Sequence, residues 1–167
     1  RVEVEVAVSA EIRHLRDEAA TLALGARIAA ELEPGLILHL RGDLGAGKTT
    51  FARGLIRALG YRGRVKSPTF TLVELYKLSS LSLYHFDFYR FSTEDELRDA
   101  GFEEWLDSDA VALVEWPEMA ARVLPEPDLL LRLALADDDD SRRLSALGCS
   151  ARGRRCLAAL TADPMLG

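Results

Sequence analysis

The 167 residues of this chain include no asparagine and no glutamine. That gap removes functional classes. A guanine-reading N-K-x-D loop cannot be written without asparagine, and the water-orienting glutamine of Ras-type GTPases has no counterpart. An ABC-type signature, which normally carries glutamine, loses support for the same reason. Cysteine is scarce as well. Cys149 and Cys156 are too few, and too far from other ligand types, for a zinc site. Free thiols in a reducing cytosol are the expected state. No apolar run approaches the length of a membrane span, and no basic, apolar leader follows Arg1. A cytoplasmic protein without membrane contact is therefore expected. The net charge of −6 argues against a protein that coats nucleic acid, though it allows a local basic patch. With 49% apolar residues, the composition predicts one folded domain, 1–167, around a single core.

What the chain does contain is Gly42-Asp43-Leu44-Gly45-Ala46-Gly47-Lys48-Thr49, a full match to G-x-x-x-x-G-K-[ST]. Its flanks fit. Leu36 to Leu40 is a short apolar run that predicts a buried strand. From Thr49 to Leu59, Phe51, Leu55, Ile56 and Leu59 recur at helical spacing. Glycines let a backbone wrap a phosphate chain with its N–H groups pointing inward. The helix that follows adds about half a positive charge at its N-terminus. In such a loop Lys48 reaches the β- and γ-phosphates, and the Thr49 hydroxyl ligates Mg²⁺. With guanine recognition excluded, ATP is the expected nucleotide.

The remaining chain alternates strands and helices. Val2 to Val8 reads as a half-exposed strand, and Leu15 to about Leu32 as an amphipathic helix ended by Pro34-Gly35. Phe70–Tyr76 and Leu81–Phe88 read as paired strands, Glu94–Asp99 and Glu103–Asp107 as short helices around Gly101. Val111–Glu115 is an apolar strand. Asp128–Ala136 and Arg142–Cys149 flank a turn at Asp137–Asp140, and a helix from about Arg152 to Leu160 follows. This order predicts an α/β fold, a P-loop NTPase with a mixed, mainly parallel sheet flanked by helices.

Further motifs carry polar groups toward the same chemistry. Glu115 ends an apolar strand, where ligands of α/β sheets collect and where an acid can meet the cation held by Thr49; it can equally be a solvated strand cap. Trp116 can shield the sheet end. In His85-Phe86-Asp87-Phe88-Tyr89-Arg90, alternation places His85, Asp87 and Tyr89 on one face, opposite core-facing Tyr84, Phe86 and Phe88. An Asp among apolar neighbours needs a partner: a cation, a metal-bound water, or Arg90. Pro68 stiffens Ser67-Pro68-Thr69-Phe70-Thr71, whose hydroxyls can face a γ-phosphate or a metal-bound water, or merely a surface.

Together, G-D-L-G-A-G-K-T-T at 42–50, V-K-S-P-T-F-T-L-V-E at 65–74, H-F-D-F-Y-R at 85–90 and V-E-W-P-E at 114–118 resemble the TsaE (YjeE) family in order and spacing. The resemblance implies a P-loop ATPase of bacterial tRNA threonylcarbamoyladenosine biosynthesis. It implies TsaD and TsaB as protein partners, with tRNA met only through their complex. Residue by residue, it implies catalytic roles for Lys48, Asp87 and Glu115, and Mg²⁺ ligation by Thr49 and Glu115. It implies ATP contacts from Glu18, from Asp43, Leu44, Gly45, Ala46, Gly47, Lys48, Thr49 and Thr50, and from Arg142. It further implies a mobile, switch-like loop at Ser67–Thr71 and a tryptophan beside the acid, Trp116. The family often places a basic residue near the adenine late in the chain; here Asp137–Asp140 intrude before Arg142 and Arg143.

Two other functions use such a loop. A small-molecule kinase would bring an arginine-bearing lid, and no lid insertion is visible between Glu103 and Arg132. A nucleotide-gated interaction module with little turnover would need no more than the residues above. The chain has no glutamine to position water, and Arg90 lies across the strand from Asp87. It is therefore expected to hydrolyse ATP slowly alone and faster once a partner completes the site.

Overall fold

Leu36, Leu38 and Leu40 are wholly buried because strand β2 (Ile37–Arg41) runs through the middle of a seven-stranded sheet. The computed structural model describes residues 10–161, Asp139 apart. Ahead of β2 come β1 (Ala10–Leu15) and α1 (Glu18–Ala29); behind it come α2 (Lys48–Ala58), β3 (Val73–Lys77) and β4 (Ser82–Asp87). Then follow α3 (Glu94–Asp99), α4 (Phe102–Leu106), β5 (Val111–Glu115), a 3-10 turn at Pro117–Ala120, β6 (Leu129–Leu135), β7 (Arg142–Gly148) and α5 (Ala151–Thr161). The strand order is β1-β7-β6-β2-β5-β4-β3. The central strands β6, β2, β5 and β4 are parallel, and both flanks are antiparallel. This is the expected mixed α/β sheet.

Register positions the chemistry. Leu40 pairs with Glu115, and Glu115 pairs with Asp87, so three neighbouring strands finish level with one another. Both sheet faces are covered. Leu38, Leu113 and Leu131 pack with Leu24, Ile28, Phe51 and Leu55 of α1 and α2. On the other face Phe86, Ala112 and Val114 pack with Phe102 and Trp105 of α4. β5 is consequently buried at every residue, as a strand between two helical layers must be.

The structure departs from the sequence reading at two places, and a third expectation is not reached. The strand read at Val2–Val8 lies outside the described residues. The helix expected from Leu15 starts at Glu18, because Asp17 caps it by accepting from the Ala20 N–H at 2.9 Å. Leu15 instead ends β1, which pairs antiparallel with β7. The strand expected from Phe70 starts at Val73, because Pro68 O accepts from the Leu72 N–H at 2.8 Å and Leu72 is left-handed at φ 71°.

Helices α1 and α2 touch backbone to backbone. A Cβ on Gly54 would stand 2.2 Å from Leu22 O, and one on Gly25 would stand 2.3 Å from Phe51 O. This approach carries the first turn of α1 over the first turn of α2. Alanine at position 54 should gain about 1 kcal/mol of helix propensity. It should lose more by driving the helices apart, since overpacking typically costs about 1–3 kcal/mol. Urea unfolding of Gly54→Ala is expected to show a net loss of stability; an unchanged or raised midpoint would refute this packing.

Candidate nucleotide-binding site

At Arg41 the sheet ends, and the chain turns through residues 42–47 before α2 begins at Lys48. Glycine is required along this path. Gly47 has φ 104°, and a Cβ on Gly42, with φ 152°, would stand 2.5 Å from Leu133 O. Gly47 is also the N-cap of α2, with no acidic side chain in the first turn. The positive end of the helix therefore opens into a cavity of about 750 Å³.

The cavity brings together Glu18, Leu44, Gly45, Gly47, Lys48, Thr49, Thr50, Asp87, Glu115 and Arg142. Ser67, Thr69 and Trp116 line it as well. Its acidic end is a dense hydrogen-bonded cluster. Glu115 and Asp87 are only 2% and 3% exposed. The Thr49 hydroxyl donates to Glu115 Oε1 at 3.3 Å. Ser67 Oγ lies 2.9 Å from Glu115 Oε2 and also against Asp87 Oδ2. Thr69 Oγ1 donates to Asp87 Oδ2 at 3.2 Å, and the Tyr89 N–H donates to Asp87 Oδ1 at 2.9 Å. On the inner side His85 Nε2 stands 2.6 Å from Glu115 Oε2. Burial alone would raise the Glu115 carboxyl. The hydrogen bond and charge of His85, with Ser67 and Lys48, outweigh it and hold Glu115 below the usual carboxylate range.

Lys48 is buried at the other end of this cluster. Its ammonium donates to Gly42 O and, at 3.0 Å, to Asp43 O. It also stands 4.3 Å from the centroid of the Trp116 ring. Burial lowers its pKa, against the raising charges of Glu115, Asp87, Glu118 and Asp43. Trp116 is left-handed at φ 56°, a conformation bulky residues rarely hold without a reason. Its ring rests on Tyr89 at 4.9 Å. On the cavity side of Glu115 the neighbouring groups are carboxylate and hydroxyl oxygens, with the His85 nitrogen on the inner side. The oxygens on the cavity side suit a hard divalent cation.

The geometry brings some of the expected residues together and sets others apart. Asp43 and Ala46 do not line the cavity; with Arg41 and Arg132 they line an adjacent hollow of about 510 Å³. The Ala46 N–H donates to Asp43 O at 3.1 Å, a tight turn that buries the Ala46 side chain. Arg90 does not partner Asp87. Its guanidinium sits 4.7 Å from the Phe70 ring centroid, outside the cavity. The expected alternation along β4 is present: His85 and Asp87 turn toward Glu115, while Tyr84, Phe86 and Phe88 stack on the other side; Tyr89 lies beyond the strand end and reaches Asp87 through its N–H. Arg142 does reach the loop, donating to Gly45 O at 3.2 Å. Thr21 and Asp17 of the α1 region also line the cavity. They flank Glu18, the residue expected there, and the glycine contact between α1 and α2 holds their segment close to the loop.

Comparison with known proteins adds an independent line. Residues 15–144 match a family model described as threonylcarbamoyl adenosine biosynthesis protein TsaE. The chain is 36% identical to the tRNA threonylcarbamoyladenosine biosynthesis protein TsaE of Haemophilus influenzae, over 89% of this chain and 96% of that one. It is 43% identical to the protein of the same name from Bacillus subtilis, over 72% and 75% respectively. Among solved structures it is similar to the crystal structure of Bacillus subtilis YdiB, with a TM-score of 0.78 at 31% identity. That likeness covers 92% of this chain and 95% of the other.

Lys48 is bonded to the loop's own carbonyls and not to the sheet core. Lys48→Ala is therefore expected to abolish ATP binding and turnover while circular dichroism reports an intact fold. Unchanged hydrolysis in the folded variant would overturn the assignment of this loop to phosphate.

Proposed function

The chain belongs to the TsaE family, and from that membership we propose that it is the ATP-binding and ATP-hydrolysing subunit of tRNA threonylcarbamoyladenosine biosynthesis. The observation that supports this most is the meeting of the P-loop threonine, Glu115, Ser67 and Asp87 at the level ends of β2, β5 and β4. Lys48 turns from the loop carbonyls to the β- and γ-phosphates. Thr49 and Glu115 would hold Mg²⁺, which would supply charge compensation for the phosphates. Leu44, Gly45, Gly47 and Thr50 flank the phosphates, with Asp43 and Ala46 contributing backbone alone. Glu18 and Arg142 border the rest of the nucleotide. Asp87, fixed by the Tyr89 N–H and Thr69, orients the attacking water.

Among the described residues, Arg90 lies over Phe70 outside the cavity, while Arg142 and Arg16 at its rim are tied to Gly45 O and Asp17, so a further cation at the γ-phosphate is left to a partner. Completion in trans by TsaD and TsaB supplies the missing element, and such fingers raise rates by about 10³ to 10⁵ elsewhere. With a net charge of −6, the chain leaves the grip on tRNA to those partners, in the cytoplasm.

Steady-state ATP hydrolysis by the chain alone, then with TsaD and TsaB added, tests the proposal. Slow turnover that rises with the pair is expected; fast turnover indifferent to the pair, or a preference for GTP, would defeat it. The two acids should separate in the same assay. Glu115→Ala is expected to weaken Mg²⁺-dependent nucleotide binding, whereas Asp87→Asn keeps binding and loses about 10²-fold or more in rate. Equal loss of binding in both variants would refute the division.

A further inference from the structure

Phe70 is 85% exposed, more than any other large apolar residue among those described. A lone exposed apolar side chain is ordinary, so exposure by itself decides nothing. Three further observations single this ring out. The Arg90 guanidinium already lies over it, 4.7 Å from the centroid, which gives the pair a fixed shape. From Arg62 to Val73 the chain carries Arg62, Arg64 and Lys66 and no acid. Among the described residues none of these cations forms an ion pair, whereas Arg27, Arg152 and Arg155 do. Finally, Phe70 tips a tight turn tied to both buried acids. Thr69 bonds Asp87, Ser67 bonds Asp87 and Glu115, and Leu72 O accepts from the Asp87 N–H at 3.0 Å. Neither Phe70 nor Arg90 lines the nucleotide cavity.

We propose that Phe70 and Arg90, with Lys66 four residues ahead on the same segment, form the docking surface for the protein that stimulates hydrolysis. The surface it fits is an apolar pocket rimmed by carboxylates. This inference rests on the partner-stimulated ATPase reading above and names where that partner acts. An exposed aromatic with a stacked arginine has the composition of a protein hot spot. Arg90 and Lys66 supply charge complementarity to an acidic rim. Single-stranded nucleic acid would instead call for a basic groove with successive aromatic platforms, and here one ring stands alone. Seating Phe70 moves Thr69 and Ser67, and through them the environment of Asp87 and Glu115. Docking and catalysis are thereby joined by three residues of chain.

The test is direct binding of the full chain to immobilised TsaD–TsaB, alongside a fluorescent ATP analogue titration and unstimulated turnover. Phe70→Ala is expected to weaken binding to the pair at least tenfold, with analogue affinity and unstimulated turnover unchanged. Lys66→Glu with Arg90→Glu should weaken it too, and should flatten its salt dependence. If wild type and Phe70→Ala bind the pair equally, the surface is wrong and the partner reading stands. If the wild type does not bind the pair at all, the partner reading fails and this surface fails with it. Binding of tRNA alone that Phe70→Ala removes would make RNA the occupant and overturn the proposal. So would a parallel loss of analogue affinity in Phe70→Ala.

Discussion

The register that pairs Asp87 with Glu115 sets two buried carboxylates side by side at neighbouring strand ends. Burying even one carboxylate is costly unless it is hydrogen-bonded or paired. The surrounding chain answers that cost group by group: His85 from within the sheet, Thr49 from α2, Ser67 and Thr69 from the loop ahead of β3, and a backbone N–H from Tyr89. The suppliers come from three separate stretches: the start of α2, the loop at 67–69, and the residues on either side of Asp87. Shifting one strand by a residue would bury the wrong side chains and leave both acids without partners.

The second dependence is the contact between α1 and α2. Two glycines facing backbone atoms allow an approach that larger residues forbid, and that approach brings Glu18 and Thr21 to the rim above the phosphate loop. The nucleotide cavity is consequently a product of packing as much as of the loop itself. Its two long walls are a helix start and a set of strand ends, each braced by an apolar layer behind.

Residues whose meaning is local were legible in the sequence. The phosphate loop declares itself through consecutive glycines and Lys48, and β5 through an unbroken apolar run ending in Glu115. Both β6 and β7 fall within a residue or so of their expected limits. Residues whose meaning is tertiary were not legible. Leu15 fits a helical stripe as well as a strand, and Asp17 decides between them only once its cap is formed. Asp43 belongs to the motif yet faces another hollow, because a turn within the loop rotates it away. Arg90 reads as the neighbour of Asp87 in sequence, but strand β4 ends between them, and the guanidinium follows Phe70 instead. His85 shares no motif spacing with Glu115; parallel pairing of β4 with β5 alone makes them neighbours.

Trp116 has a consequence of a different kind. Its indole faces the Lys48 ammonium on one side and Tyr89 on the other, while Trp105 is sealed among the aromatic side chains of the opposite sheet face. Were the ammonium to leave the ring for a phosphate, the electric field across that indole would change far more than at Trp105, which makes no contact with Lys48. Trp116 would then be an unlabelled optical gauge of site occupancy, with Trp105 as its internal standard.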